Sequence, residues 1–258
     1  MGSAKLLIKG LWGARQETPA QIGQRMVHIA ETLSPLDPLL RAWNVADAAV
    51  EQDFVPLERA KPYLAPIVEA RVSRNDFGEP EPENGYTCTL SNDFDDPVRS
   101  VLVRARAGVG GPPGLLDNMA MVETPWRLSS EYEPGPADPR LMTLPVVTSI
   151  MQAVIDIFEA TAVMACLSGQ IKDPWPDRGP FNPAWMLYLS APHAAQITPP
   201  SDLICEQMGD GLLMIATEQP FDLNNPEHIA AGRAISAATR PLQPADFGRQ
   251  VLLCMPGT

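Results

Sequence analysis

A chain of 258 residues that is 45% hydrophobic holds enough apolar material for one large core or two small ones, which excludes wholesale disorder. Its net charge of −12 repels phosphate backbones and anionic lipid headgroups, which argues against nucleic acid and membrane as direct partners and favours a basic protein. Each of the 28 prolines fixes φ and removes a backbone donor, so short elements and rigid connections are expected.

Residues 4–9 read as a first strand. The opening MGSAKLLIKG has too short an apolar run for a signal peptide, and no segment reaches the ~18 apolar residues of a membrane helix, so a cytoplasmic location is expected. Thr18 and Pro19 then supply an N-cap and a first-turn proline. Ile22, Met26, Ile29 and Leu33 follow at helical spacing up to Pro35. Residues 36–43 form a short apolar connection. A second helical region over 56–70 is interrupted by Pro62 and Pro66. After a polar loop at 75–83, residues 86–91 and 100–107 read as strands, 108–114 as a turn, 117–123 as another strand and 131–139 as a loop. Val147, Ile150, Met151, Val154, Ile155 and Phe158 mark the buried face of a helix over 144–158. A strand at 161–167 and a proline-rich loop at 171–183 come next. Strands follow at 184–190, 203–207 and 212–217, the last two joined through Gly209-Asp210-Gly211. Asn225-Pro226 opens a final helix to about residue 238. This order indicates an α+β fold, a single domain over 1–258 with a mixed or antiparallel sheet and packed helices. A subdivision near 110–140 and two similar halves stay open, because no residue-level repeat decides them.

The negative charge is uneven. From residue 75 to 96 there are seven acids (Asp76, Glu79, Glu81, Glu83, Asp93, Asp95 and Asp96) and no Lys or Arg. Between Arg178 and Arg233 there are six more (Asp202, Glu206, Asp210, Glu218, Asp222 and Glu227), again without a base. The remaining 18 acids are matched by 19 bases, so two tracts carry the whole imbalance. Solvated loops and guarded strand edges explain such tracts in the simplest way. If folding gathers both onto one side, they form a negative face for a basic partner. The candidate partner-binding set is Glu79, Glu81, Glu83, Asp93, Phe94, Asp95 and Asp96, with Phe94, Trp175 and Tyr132 as candidate aromatic anchors.

No catalytic, metal-binding or cofactor residue set emerges. Cys88, Cys166, Cys205 and Cys254 are scattered and form no CxxC pair; Cys88 and Cys166 sit among apolar neighbours, as small core residues do. His28 lies in an amphipathic helix and reads as a satisfied structural imidazole. His193 follows a strand, and His228 lies in a helix's first turn without the second histidine of HExxH. GVGGPPG, at 108–114, lacks the donors and the Lys-Ser/Thr of a phosphate loop. The alternatives to a binding protein are a metal-dependent hydrolase using His193 or His228, and a secretion-system adaptor.

LSPLDPLLRAWN (33–44), NPAWMLYLSAP (182–192), ITPP (197–200) and DGLLMIATEQPFDLNNPEHIAAGRAI (210–235), taken in order, resemble the immunity protein 52 family of bacterial polymorphic-toxin systems. The resemblance covers roughly residues 5–245, although GYTCTLSNDFDD stands where a Trp-containing segment is expected. It implies a partner toxin, commonly a restriction-endonuclease-like nuclease delivered between cells, held by binding and not by catalysis. The residues themselves read as scaffold: Trp185 and Met186 begin a buried strand, Asn225 caps the last helix, and the His228 ring reaches nearby backbone.

Overall fold

The apolar run that opens the chain becomes the centre of the molecule. In a computed structural model, which describes residues 5–47, 54–92, 99–110, 118–125, 138–171, 179–243 and 247, strand β1 (Leu6–Trp12) pairs antiparallel on both sides. Its alternation is weak in sequence because both faces are covered: Leu6, Ile8 and Trp12 enter one apolar cluster and Leu11 the other.

The chain continues through α1 (Pro19–Leu33), β2 (Asn44–Ala46), β3 (Phe54–Pro56), α2 (Leu57–Ala60), α3 (Leu64–Glu69), β4 (Asn84–Ser91), β5 (Leu102–Val109) and β6 (Asn118–Thr124). The second half is α4 (Leu144–Phe158), β7 (Ala162–Leu167), α5 (Ser168–Ile171), β8 (Met186–Leu189), α6 (Ala191–Ala194), β9 (Ile204–Met208), β10 (Gly211–Ile215) and α7 (Pro226–Ala238). Among the described residues the strands form one sheet in the order β3-β2-β4-β5-β6-β1-β7-β8-β10-β9, and every pairing is antiparallel. The fold is α+β, and the sheet is antiparallel where the sequence left mixed pairing open.

Local chemistry sets the helix ends. Thr18 and Gln21 form a reciprocal capping box at the start of α1, with Pro19 in its first turn. Asn225 accepts the Glu227 amide at the start of α7. Proline breaks the 56–70 region as expected, into α2, a 3₁₀ turn at Lys61–Tyr63, and α3. Strand β5 runs on through Val109, so Gly108 belongs to a strand and not to the expected turn.

Helices α1, α3 and α4 lie on one face of the sheet, where Trp12 stacks on Phe158 with ring centroids 5.4 Å apart. Gly10 lets α4 settle onto β1, because a β-carbon there would sit 2.4 Å from Val154 Cγ1. Helix α7 covers the other face near β8, over a second cluster that includes Phe181, Leu187, Ile235 and Phe247. The far end of α4 is held by ion pairs. Glu17, its side chain only 4% exposed, bridges Arg25 at 2.6 Å and Arg15 at 3.3 Å. Arg15 and Arg25 donate to the carbonyls of Phe158 and Ile157, at the negative end of the helix dipole.

Candidate partner-binding surface

The first acidic tract folds into a tight hairpin running back along the start of β4. Val72 bridges Tyr86 and Arg74 bridges Pro80, both antiparallel. The Ser73 amide donates to the Gly85 carbonyl at 2.9 Å, and the Glu81 amide donates to the Ser73 carbonyl at 2.8 Å. At the tip, Asn75 Oδ1 accepts the amides of Phe77 and Glu79 at 3.0 and 2.9 Å, the Asx chemistry that fixes turns. Gly78 has φ +82°, a conformation that costs glycine little. The Gly78 carbonyl accepts from Arg74 Nη1 at 2.7 Å.

This frame aims the carboxylates. Asn75 Nδ2 donates to Glu79 at 3.0 Å, and Asn84 Nδ2 donates to Glu81 at 2.5 Å. Among the described residues no ion pair reaches Glu79, Glu81 or Glu83. Phe77 is 89% exposed at the tip. Sequence reasoning passed over it; the available signal was one aromatic in a run of Asn, Asp, Gly, Glu and Pro.

Of the candidate set, Glu79, Glu81 and Glu83 lie in this segment. Asn92, the last described residue before Asp93, Phe94, Asp95 and Asp96, lies just past the far end of β4, roughly 30 Å along the strand from Glu83 at ~3.3 Å per residue. Those four residues, and Trp175 and Tyr132, lie outside the described residues. Nor do the two tracts form one face. The second tract surrounds β9, the strand at one end of the sheet, while β4 is third from the other end. Seven strand spacings of ~4.8 Å put roughly 34 Å between them. The expectation of a single negative side is corrected: the charge divides into two separate surfaces. The β9 surface does keep its carboxylates exposed, including Asp202, Glu206 and Asp210. Tyr188 donates to Asp210 at 3.2 Å, and burial, with that carboxylate beside it, pushes the phenol up to about 12.

The histidines are dispersed. His28 is exposed and lines a cleft between α1 and the α2–α3 segment, which corrects the reading of it as a satisfied structural imidazole. Its helix position falls one residue before buried Ile29, on the solvent side of the stripe. His193 Nδ1 lies 3.0 Å from Ser190 Oγ, with its ring against Phe247. His228 Nδ1 accepts the Asp222 amide at 3.0 Å, the backbone contact expected of it. Among the described residues no three His, Cys, Asp or Glu side chains come together as metal ligands would. Two adjoining clefts of about 390 and 370 Å³ flank Glu31, which Lys61 ties to Glu58 from 3.0 and 2.8 Å. Hydrogen bonds to Glu58 and Glu31 raise the Lys61 pKa. In the larger cleft Ser34 Oγ donates to the Ala30 carbonyl at 2.6 Å. Cys88 and Cys166 are buried, as expected of core thiols, and burial pushes Cys88 up to about 12. No helix among the described residues is long and apolar enough to cross a membrane.

The family model for immunity protein 52 matches residues 8–242. The chain belongs to the immunity protein 52 family. Its fold is similar to that of the Pseudomonas aeruginosa T6SS protein PA0821. The two superpose with a TM-score of 0.53 at 11% identity, over 94% of this chain and 77% of the other. No curated protein matches this immunity protein 52 sequence.

Proposed function

We propose that this immunity protein binds a cognate toxin and neutralises it by stoichiometric occlusion, without catalysis. The observation that carries the reading is the family match over residues 8–242. The toxin we propose is a basic, restriction-endonuclease-like nuclease, delivered between cells by type VI secretion. The likeness to a T6SS protein supports the delivery route. The charge distribution supports the nuclease: an enzyme that grips phosphates presents an electropositive cleft, and the Glu79, Glu81 and Glu83 carboxylates, which make no ion pair among the described residues, can meet one. We place Asp93, Phe94, Asp95 and Asp96, which lie outside the described residues, in the same proposed contact set on their charge and the Phe94 ring alone.

Co-expression with the toxin encoded beside the gene tests the reading. Survival of the host and a complex on a sizing column are expected. Killing that continues, with the two proteins eluting separately, would count decisively against it.

A further inference from the structure

Phe77 does nothing for the fold that carries it. Apolar surface of this size is normally taken out of water, yet its side chain is 89% exposed, and among the described residues only Tyr63, at 41%, is another exposed large hydrophobic. The segment around it is tied together by hydrogen bonds. Asn75 holds the amides on both sides of the Phe77-Gly78 pair, Arg74 holds the Gly78 carbonyl, and the paired backbone of 73 and 81 closes the base. A ring presented on such a frame loses little conformational freedom when it is buried by a partner.

We propose that Phe77 is the aromatic anchor of the toxin interface, inserting into an apolar hollow ringed by Lys and Arg on a basic protein. This rests on the immunity reading and adds to it a residue, a depth of insertion and a chemistry for the receiving surface. The ring supplies apolar area and a π face on which Lys or Arg can rest. Asp76 and Glu79 are exposed within the same hairpin and Glu83 just beyond its base, where they outnumber the exposed Arg74. They match a basic rim and would repel one another across a contact between two copies of this chain. That charge pattern selects the toxin and not a second copy as occupant. An aromatic at the centre with charge at the rim is the arrangement in which a few residues dominate affinity.

The test is an affinity measurement between this protein and the purified toxin encoded beside its gene. F77A is expected to weaken binding about 30-fold or more, the loss typical of a central anchor, while F77L stays within about fivefold of wild type. The thermal midpoint of F77A is expected to equal that of wild type, because the ring packs on nothing internal. Y63A, the control at the other exposed aromatic, is expected to bind as wild type does. Wild-type affinity in F77A overturns the proposal and leaves the immunity reading standing. No binding by the wild-type protein overturns the immunity reading and this inference with it. A dimer of the free protein that F77A dissolves would put a second copy on the hairpin and also overturn the proposal.

Discussion

Single side chains show how burial converts into pH dependence. Tyr188 is 1% exposed, and burial beside Asp210 raises its phenol from the ordinary 10.0 to about 12. Below pH 10 both folded and unfolded chains keep the proton, so the stabilisation is complete. Between pH 10 and 12 the unfolded chain ionises first, and stability falls by ~1.4 kcal/mol per pH unit. Cys88 acts in the same sense from pH 9.0 to about 12. Urea unfolding at pH 8 and pH 11 should therefore show a smaller loss for Y188F than for wild type, by about 1 kcal/mol. Equal losses would contradict the assignment. Some of these roles are readable from neighbours in the chain. Cys88 and Cys166 are flanked by apolar residues, and both are buried. His28 was misread because it too has apolar neighbours, yet helical geometry turns successive residues by about 100° and carries its ring outward. The exposure of Phe77 depends on a hairpin closed by Ser73 and Glu81, pairing that composition does not reveal.

At the scale of elements, helices were the most readable. The helix over 144–158 has the bounds expected of it, because six apolar positions at helical spacing sit between Thr143 and a left-handed Glu159. Strands β2 and β3 went unseen. Each is three residues long, too short to display alternation, and the pair joins the sheet only where β2 meets β4, more than forty residues on. What fixes α4 against α1 is equally non-local. Glu17 lies in the loop before α1 and neutralises Arg15 and Arg25, which hold the last carbonyls of α4. E17A leaves both guanidinium groups half-buried without that carboxylate. It should cost about 3 kcal/mol in urea unfolding; because exposed Glu159 also pairs with Arg15 at 2.5 Å and Arg25 at 3.7 Å, a loss below about 1 kcal/mol would mean that Glu159 alone suffices.

For the whole molecule, composition revealed that the chain is acidic and sequence revealed where, but only sheet order shows what those carboxylates can do together. Two base-free tracts suggest one negative face; β9 at one end and β4 near the other keep them apart. Strand order in an antiparallel sheet follows from long-range pairing, so β1 can lie between β6 and β7 with no local mark of it. The family match says what kind of protein this is, and on the proposed reading the Phe77 hairpin is the surface that meets the toxin. Neutralisation by occlusion also has a signature that separates it from enzymatic inactivation. Titrating a fixed amount of toxin with this protein, and measuring residual toxin activity, should give a linear decline that reaches its floor at one equivalent. Complete loss of activity at a small fraction of an equivalent, or no loss at several equivalents, would contradict it.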